Sequence, residues 1–243
     1  MGDVCSRDDV WNAAFEFFGH DPFSSDAYTN KYAMRDNAGD FLELSPAHSC
    51  MRMAKEFARI EAQYPEPMSL AEIYGLLVDL SERTADNEQG LLTAAHGLGR
   101  VVPQGGPWSA LGNPHQVQSL SNCFVIESPH DSYGGVMKTD QELAQIMKRR
   151  GGVGVDISTL RPRGMVTKNA ALTTDGIGVF MERFSRTCEE VAQGGRRGAE
   201  MQTISVMHPE IETFINIKRT PNKVTGANVS VRLTDEFMRA VRD

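Results

Sequence analysis

The stretch "SLSNCFVIESPHDS", residues 119–132, sets a thiol, Cys123, at the head of a strand-like run and shortly before an acidic turn. A thiol so placed is either inert filler or half of a two-electron redox pair. Two other segments have the composition of anion sites. "RRGGVGVD" (149–156) and "AQGGRRGAEM" (192–201) each carry the chain from a helix end into a strand through several glycines. Glycine lets backbone N–H groups approach a ligand, and successive N–H groups make an anion nest. The first segment lacks the strand-to-helix order of a dinucleotide fingerprint, and its glycines read as a helix stop. In "QGGRRG", Arg196 and Arg197 add planar donors suited to phosphate or a base edge, more than a cap requires.

The other cysteines, Cys5, Cys50 and Cys188, are widely spaced and form no CxxC pair, and none of the six histidines stands at metal-ligand spacing. No metal site is expected. Cys188 lies on an apolar helix stripe, Cys50 reads as core, and Cys5 is incidental near the terminus.

The elements that must position these groups fall into two stretches. Residues 1–100 read as a helical domain. Ser69 and Glu72 form a capping box for a helix through "SLAEIYGLLVDLSER", with Leu70, Ile73, Leu76, Leu77 and Leu80 at helical spacing, and Ser45-Pro46 starts another. "VVPQGGPWSALGNP" (101–114) reads as a loop. From there to residue 243, strands alternate with helices: "NCFVIES", then a helix capped by Thr139 and Glu142, then "VGVDIS". The helix "VFMERFSRTCEEVAQGG" follows, stopped by Gly194, then "MQTISVM", a helix from Pro209, "TGANVSVRL", and a helix capped by Thr234. Such alternation predicts an α/β domain with locally parallel strands. His208 reads as a neighbour of a helix cap. The sequence ends within that last helix, which predicts a part of a longer or a split polypeptide.

The 243 residues carry a net charge of −7, with 40% hydrophobic and 23% charged residues. An acidic chain is poorly suited to non-specific nucleic-acid binding. There is no membrane-length apolar run and no secretory leader, so a cytoplasmic protein is expected.

"SLSNCFVI", "RRGGVGVDISTLRPRG", "AQGGRRGAEM", "HPEIETFINIKR" and "KVTGANVSVRLTDEFM" occur in one order at family-like intervals. Together they resemble the large catalytic subunit of ribonucleotide reductases. The lead-in "PQGG…LGNPHQVQSLSNCF" is most similar to the adenosylcobalamin-dependent class; the iron-dependent class is the alternative within the family. The resemblance implies the first part of a ten-stranded α/β barrel. It makes Cys123 one of two thiols that reduce the substrate ribose and end as a disulfide, with the partner cysteine and a thiyl-radical cysteine further along the family's chain. It implies substrate contacts at Gln104, Gly105, Asn122, Cys123, Gly151 and Gly152.

A deoxynucleoside triphosphate or ATP effector is implied at Asp131 and Ser132, at Arg161, Arg163 and Lys168 in a first specificity loop (158–176), and at Gln193 and Arg197 in a second. Thr159 stands where relatives often have arginine. The resemblance further implies adenosylcobalamin on the complete enzyme, a ribonucleotide substrate, expected to be a diphosphate, and a thioredoxin-like reductant. Its expected partners are the remainder of the reductase, as one chain or a second subunit, and another copy in a homodimer. The N-terminal helices do not resemble the family's ATP cone. Two other readings are an inactive nucleotide-binding regulatory fragment and a truncated product without function.

Overall fold

The computed structural model describes residues 4–80, 87–191 and 198–242. The chain divides into two compact units, residues 1–121 and 122–243.

The first unit is mainly helical: α1 (Arg7–Phe17), α2 (Pro22–Lys31), α3 (Pro46–Glu61), α4 (Leu70–Leu77), α5 (Glu88–Thr93) and α6 (Gly105–Ala110), with a small antiparallel pair, β1 (Val78–Leu80) and β2 (Ala95–Leu98). The caps follow residue type. Ser6 Oγ accepts from Asp9 N at 3.1 Å, and Asp21 accepts from the backbone of Phe23 and Ser24. Helix α3 buries Ala47, Cys50, Met51, Met53 and Ala54 against Tyr74, Leu77 and Trp108. A buried ion pair, Arg52 Nε to Glu43 Oε1 at 2.7 Å, fastens α3 to the segment before it; Ser49 Oγ also donates to Glu43 at 2.6 Å.

Two expectations are corrected in this unit. The capping box at Ser69 and Glu72 forms, but the helix ends at Leu77, and Leu80 lies in β1. The carbonyls of Leu76 and Leu77 accept from Val101 and Gly99 instead of continuing the helix, so pairing with a distant segment overrides local periodicity. The segment 101–114 is not all loop, because α6 forms within it. Pro107 falls in the first turn of α6, where its missing N–H costs nothing, and Trp108 is buried.

The second unit is α/β, as expected. Strands β3 (Cys123–Val125), β4 (Gly152–Asp156), β5 (Glu200–Ser205) and β6 (Ala227–Arg232) form one parallel sheet in sequential order. Helices α7 (Tyr133–Met147), α8 (Ile177–Glu190) and α9 (Ile211–Asn216) make the successive crossovers, and α10 (Asp235–Arg242) follows β6. Val153, Val155, Ile204 and Ala227 form one core with Leu143 and Met147 of α7, Met181, Phe184 and Cys188 of α8, and Phe214 of α9. All three crossovers therefore pack on the same side. A strand order without reversal and with one-sided crossovers is the winding of an α/β barrel, not of a doubly wound sheet.

Helix α7 starts six residues before the expected cap. Ser132 is its N-cap, accepting from Gly135 N at 3.1 Å, whereas Thr139 is buried in mid-helix and Glu142 faces Lys138 at 3.8 Å. The glycines at 134 and 135 hide this start in the sequence. A Cβ at Gly135 would lie 2.2 Å from His130 O, so the close turn requires glycine there. Helix α8 ends at Glu190, and the expected stop at Gly194 lies outside the described residues. Thr234 caps α10, accepting from Phe237 N at 3.2 Å.

Phe184 is wholly buried between the sheet and the helix layer. Phe184→Ala is expected to lower stability by about 3–5 kcal/mol, read as a lower urea midpoint with an unchanged slope.

Candidate functional site

Side chains alternate across a strand, so the sheet has a second face turned away from α7, α8 and α9. Cys123 pairs with Gly152, Val125 with Gly154, Gly154 with Met201, and Met201 with Asn228. One register step on, Asp156, Thr203 and Ser230 align. Among the described residues of this unit no element covers that face. Cys123 is exposed and Val125 is 91% exposed. Parallel sheets are ordinarily buried on both faces, so these positions carry the signature of an interior surface. Asp156 and Arg232 form an ion pair on this same side, across Thr203.

The cysteines separate by environment. Burial pushes the Cys50 thiol up to about 12 and the Cys188 thiol up to about 11, which suppresses their thiolates. Cys5 joins an isolated bridge with Phe41 in the first unit.

The glycines beside Cys123 are constrained by packing. Asn122 O accepts from Gly152 N at 2.7 Å, and a Cβ at Gly152 would stand 3.2 Å from Ala199 Cβ. A Cβ at Gly151 would meet Ile146 at 2.6 Å and the Phe124 ring at 2.8 Å. The left-handed position that ends α7 is taken by Arg150, φ 68°, rather than by a glycine. The structure thus brings Asn122, Cys123, Gly151 and Gly152 together. Gln104 and Gly105 lie in the first unit, where they open α6.

A second cluster lies at the turn before α7. Arg161 Nε donates to Asp131 Oδ2 at 2.6 Å, Arg161 N to Asp131 Oδ1 at 3.3 Å, and Arg161 Nη2 to the Asp131 carbonyl at 3.2 Å. Thr159 Oγ1 donates to Pro129 O at 2.6 Å. Asp131 and Thr159 line a cavity of about 560 Å³ with Glu127, His130, Lys138 and Glu142. Its carboxylates outnumber its one lysine, so its wall alone does not suit a polyphosphate. Arg163 and Lys168, both exposed, lie further along the same loop, which a Val166–Thr173 bridge folds back on itself. Gln193 and Arg197 lie outside the described residues.

Sequence reasoning missed Glu210. Its Oε2 accepts from Arg163 N at 3.1 Å and from Ile177 N at 2.9 Å, so one carboxylate holds the loop and the N-terminus of α8. Gly176, φ 84°, leaves the space; a Cβ there would stand 2.4 Å from the carboxylate. The spacing "DG" before an apolar helix was the available signal. His208 serves as expected beside this helix start: Nδ1 accepts from Glu210 N at 3.1 Å, leaving Nε2 to donate to Leu160 O at 2.8 Å.

A singly wound parallel sheet with a thiol on its uncovered face has the winding of a segment of an α/β barrel. A family model, ribonucleotide reductase, barrel domain, matches residues 121–243, and the chain belongs to the ribonucleotide reductase family as part of a large subunit. Among curated relatives, a vitamin B12-dependent ribonucleoside-diphosphate reductase of Thermoplasma acidophilum is 38% identical over 120 residues, covering 49% of this chain and 16% of the relative. One of the same name from Mycobacterium tuberculosis is 35% identical over 124 residues, covering 50% and 18%. The ribonucleoside-diphosphate reductase large chain 2 of Saccharomyces cerevisiae is 34% identical over 138 residues, covering 54% and 16%. The chain thus spans about a sixth of the length of these relatives. The class Id ribonucleotide reductase alpha subunit of Actinobacillus ureae shares the fold, with TM-score 0.54 and 18% identity over 79% of this chain and 31% of that one.

Removing the Glu210 carboxylate leaves two backbone donors without their acceptor. Glu210→Ala is expected to cost about 1–2 kcal/mol in denaturant unfolding, and to speed amide exchange at Arg163 and Ile177.

Proposed function

We propose that this chain supplies the first part of a ribonucleotide reductase, and that Cys123 is one of the two thiols that reduce the ribose. The observation that carries this reading is the position of Cys123: exposed on the uncovered face of β3, level with Gly152, while Cys50 and Cys188 are core. In the complete enzyme two thiols become one disulfide as the ribose 2′ hydroxyl leaves as water and hydrogen takes its place. Two electrons and two protons pass from sulfur to substrate, and a thioredoxin-like reductant restores the thiols. The radical that opens the reaction arises outside these residues, at the cysteine implied elsewhere in the family's barrel, and substrate is a ribonucleoside diphosphate, as the names of the relatives suggest. Asn122, Gly151 and Gly152 border the thiol and are proposed as substrate contacts; the N–H groups of Gly151 and Gly152 are taken by Ile146 O and Asn122 O, so what the glycines offer is close backbone approach. Gln104 and Gly105 are proposed as further contacts from the family resemblance alone.

Adenosylcobalamin is proposed for the complete enzyme on the strength of the B12-dependent relatives; bound, it supplies a carbon-centred radical. The cavity described above, lined by Glu127, Asp131 and Glu142, gives no apolar face for a corrin, so no described residue is assigned to hold it.

The turn at Asp131 and Ser132 and the loop 158–176 are proposed as an effector site for a deoxynucleoside triphosphate or ATP. Asp131, although bonded to Arg161, retains acceptor capacity for sugar hydroxyls. With Arg161 committed to Asp131, the phosphates fall to Arg163 and Lys168, and the base is assigned to the segment holding Gln193 and Arg197. Effector and substrate affinities would then be linked reciprocally. Tyr133, Met137 and Val179, exposed on α7 and α8, favour a homodimer through these helices. The expected cellular setting is the cytoplasm; no helix among the described residues is long and apolar enough to cross a membrane.

A second reading has its own support. The loop cluster is local to this chain, whereas the thiol partner is not, so the chain alone would bind nucleotide without turnover. Two experiments test these readings. Calorimetry with dATP, dGTP and dTTP should show saturable binding weakened about tenfold or more by Arg163→Ala and by Lys168→Ala. No binding by the folded chain contradicts the effector site. In a reductase assembled from this chain and its complementary polypeptide, Cys123→Ser should reduce deoxynucleotide formation to background. Undiminished turnover contradicts the redox role.

A further inference from the structure

Glu200 and Gln202, two residues apart on β5, both face the helix layer. Glu200 is 4% exposed and Gln202 is fully buried. Gln202 Nε2 donates to Glu200 Oε1 at 2.8 Å and to Met181 O of α8 at 3.0 Å. Two oxygens remain, Glu200 Oε2 and Gln202 Oε1, both buried and neither with a hydrogen-bond partner. An ionised Glu200 would leave a buried charge and two stranded acceptors, each costly.

One proton removes both costs. A carboxylic acid and a primary amide are complementary: the acid carbonyl accepts the amide N–H, and the acid O–H donates to the amide carbonyl. The first half of that ring is present, and the two stranded oxygens are the groups that the second half would join. We propose that Glu200 is a protonated acid whose O–H closes a ring with Gln202 Oε1, a proton-held latch that fixes the start of β5 to α8.

The surroundings agree. From α7, Asp140 faces the site, its carboxylate held by Arg183 at 2.7 Å and by Thr187 of α8. From α8 come the Cys188 thiol and, further off, Glu189. The neighbouring strands place Val153 and Ala227 opposite Glu200. Burial first, then the Asp140 charge, raise the Glu200 carboxyl to about 7, against the opposing effect of the Gln202 N–H. The latch therefore opens within the neutral range. Opening breaks half of the ring and leaves a carboxylate beneath the strand whose other face carries Met201 and Thr203.

The sign of the pH dependence follows. The folded chain holds a proton that the unfolded chain releases near 4.5. Stability from this group is greatest below that value, falls as the pH rises towards about 7, and is level above it. The folding equilibrium constant should lose about two to three powers of ten across the window.

The test compares urea unfolding of the full chain and Glu200→Gln from pH 4.5 to 8.5, with infrared spectra of chain labelled at glutamate with carbon-13. The variant keeps both hydrogen bonds as an amide pair but cannot titrate. It should match the native chain near pH 4.5 and exceed it by about 100- to 1,000-fold in folding constant at pH 8. The native chain should show a protonated-carboxyl band at pH 6 that the variant lacks and that fades with a midpoint near 7. A stability difference that does not change with pH overturns the latch. If the variant does not fold, the native spectrum decides: a Glu200 seen only as carboxylate at pH 6, its oxygens satisfied by water, overturns it equally.

Discussion

The second unit depends on one constraint. Its strands are parallel, neighbouring strands are consecutive in sequence, and every crossover returns on the same side. That winding commits alternate residues of each strand to opposite fates. Val153, Val155, Ile204 and Ala227 disappear under α7, α8 and α9, while Cys123, Gly154, Met201 and Asn228 are left on the other face. A shift of one residue in β3 would exchange Cys123 with Phe124 and bury the thiol. The chemistry proposed for Cys123 is thus a consequence of register before it is one of reactivity.

Register is held by short-range fits that only particular residues allow. Gly151 lies against Ile146 and Phe124, Gly152 against Ala199, and Gly135 against His130. Gly151 brings the end of α7 against β3, Gly152 brings β4 against the residue before β5, and Gly135 closes the turn into α7. Glu210 does the same with charge, tying the loop at Arg163 to the start of α8. Arg161 and Asp131 join that loop to the turn that opens α7. The loop 158–176, proposed as an effector loop, is therefore braced at both ends by carboxylates, which leaves Arg163 and Lys168 as its uncommitted cations among the described residues.

Much of this was legible in the sequence. Alternating strand and helix patterns gave the α/β class and the order of elements, because the 2.0 and 3.6 periods are backbone geometry. Cys188 was readable as core from its helix stripe, and Cys50 from the usual burial of lone cysteines. Boundaries were less legible where distant segments decided them. Leu80 fits a helical stripe, but Gly99 and Val101 take the carbonyls that would have extended α4. Thr139 and Glu142 have the spacing of a cap, yet Ser132 caps α7 because Gly135 permits a turn too tight for any side chain. The "DG" ahead of an apolar helix marks where Glu210 acts but not Glu210 itself, whose loop lies 47 residues away, and Glu200 is set apart by its burial under the helix layer rather than by its spacing from Gln202.

The central claim is that the winding of the sheet leaves Cys123, and not Cys50 or Cys188, available for chemistry. Timed alkylation of the native chain, followed by peptide mass spectrometry, tests it most directly. The account predicts prompt modification of Cys123, with Cys50 and Cys188 modified only when the chain unfolds. Protection of Cys123 to the same degree as Cys188 would contradict it.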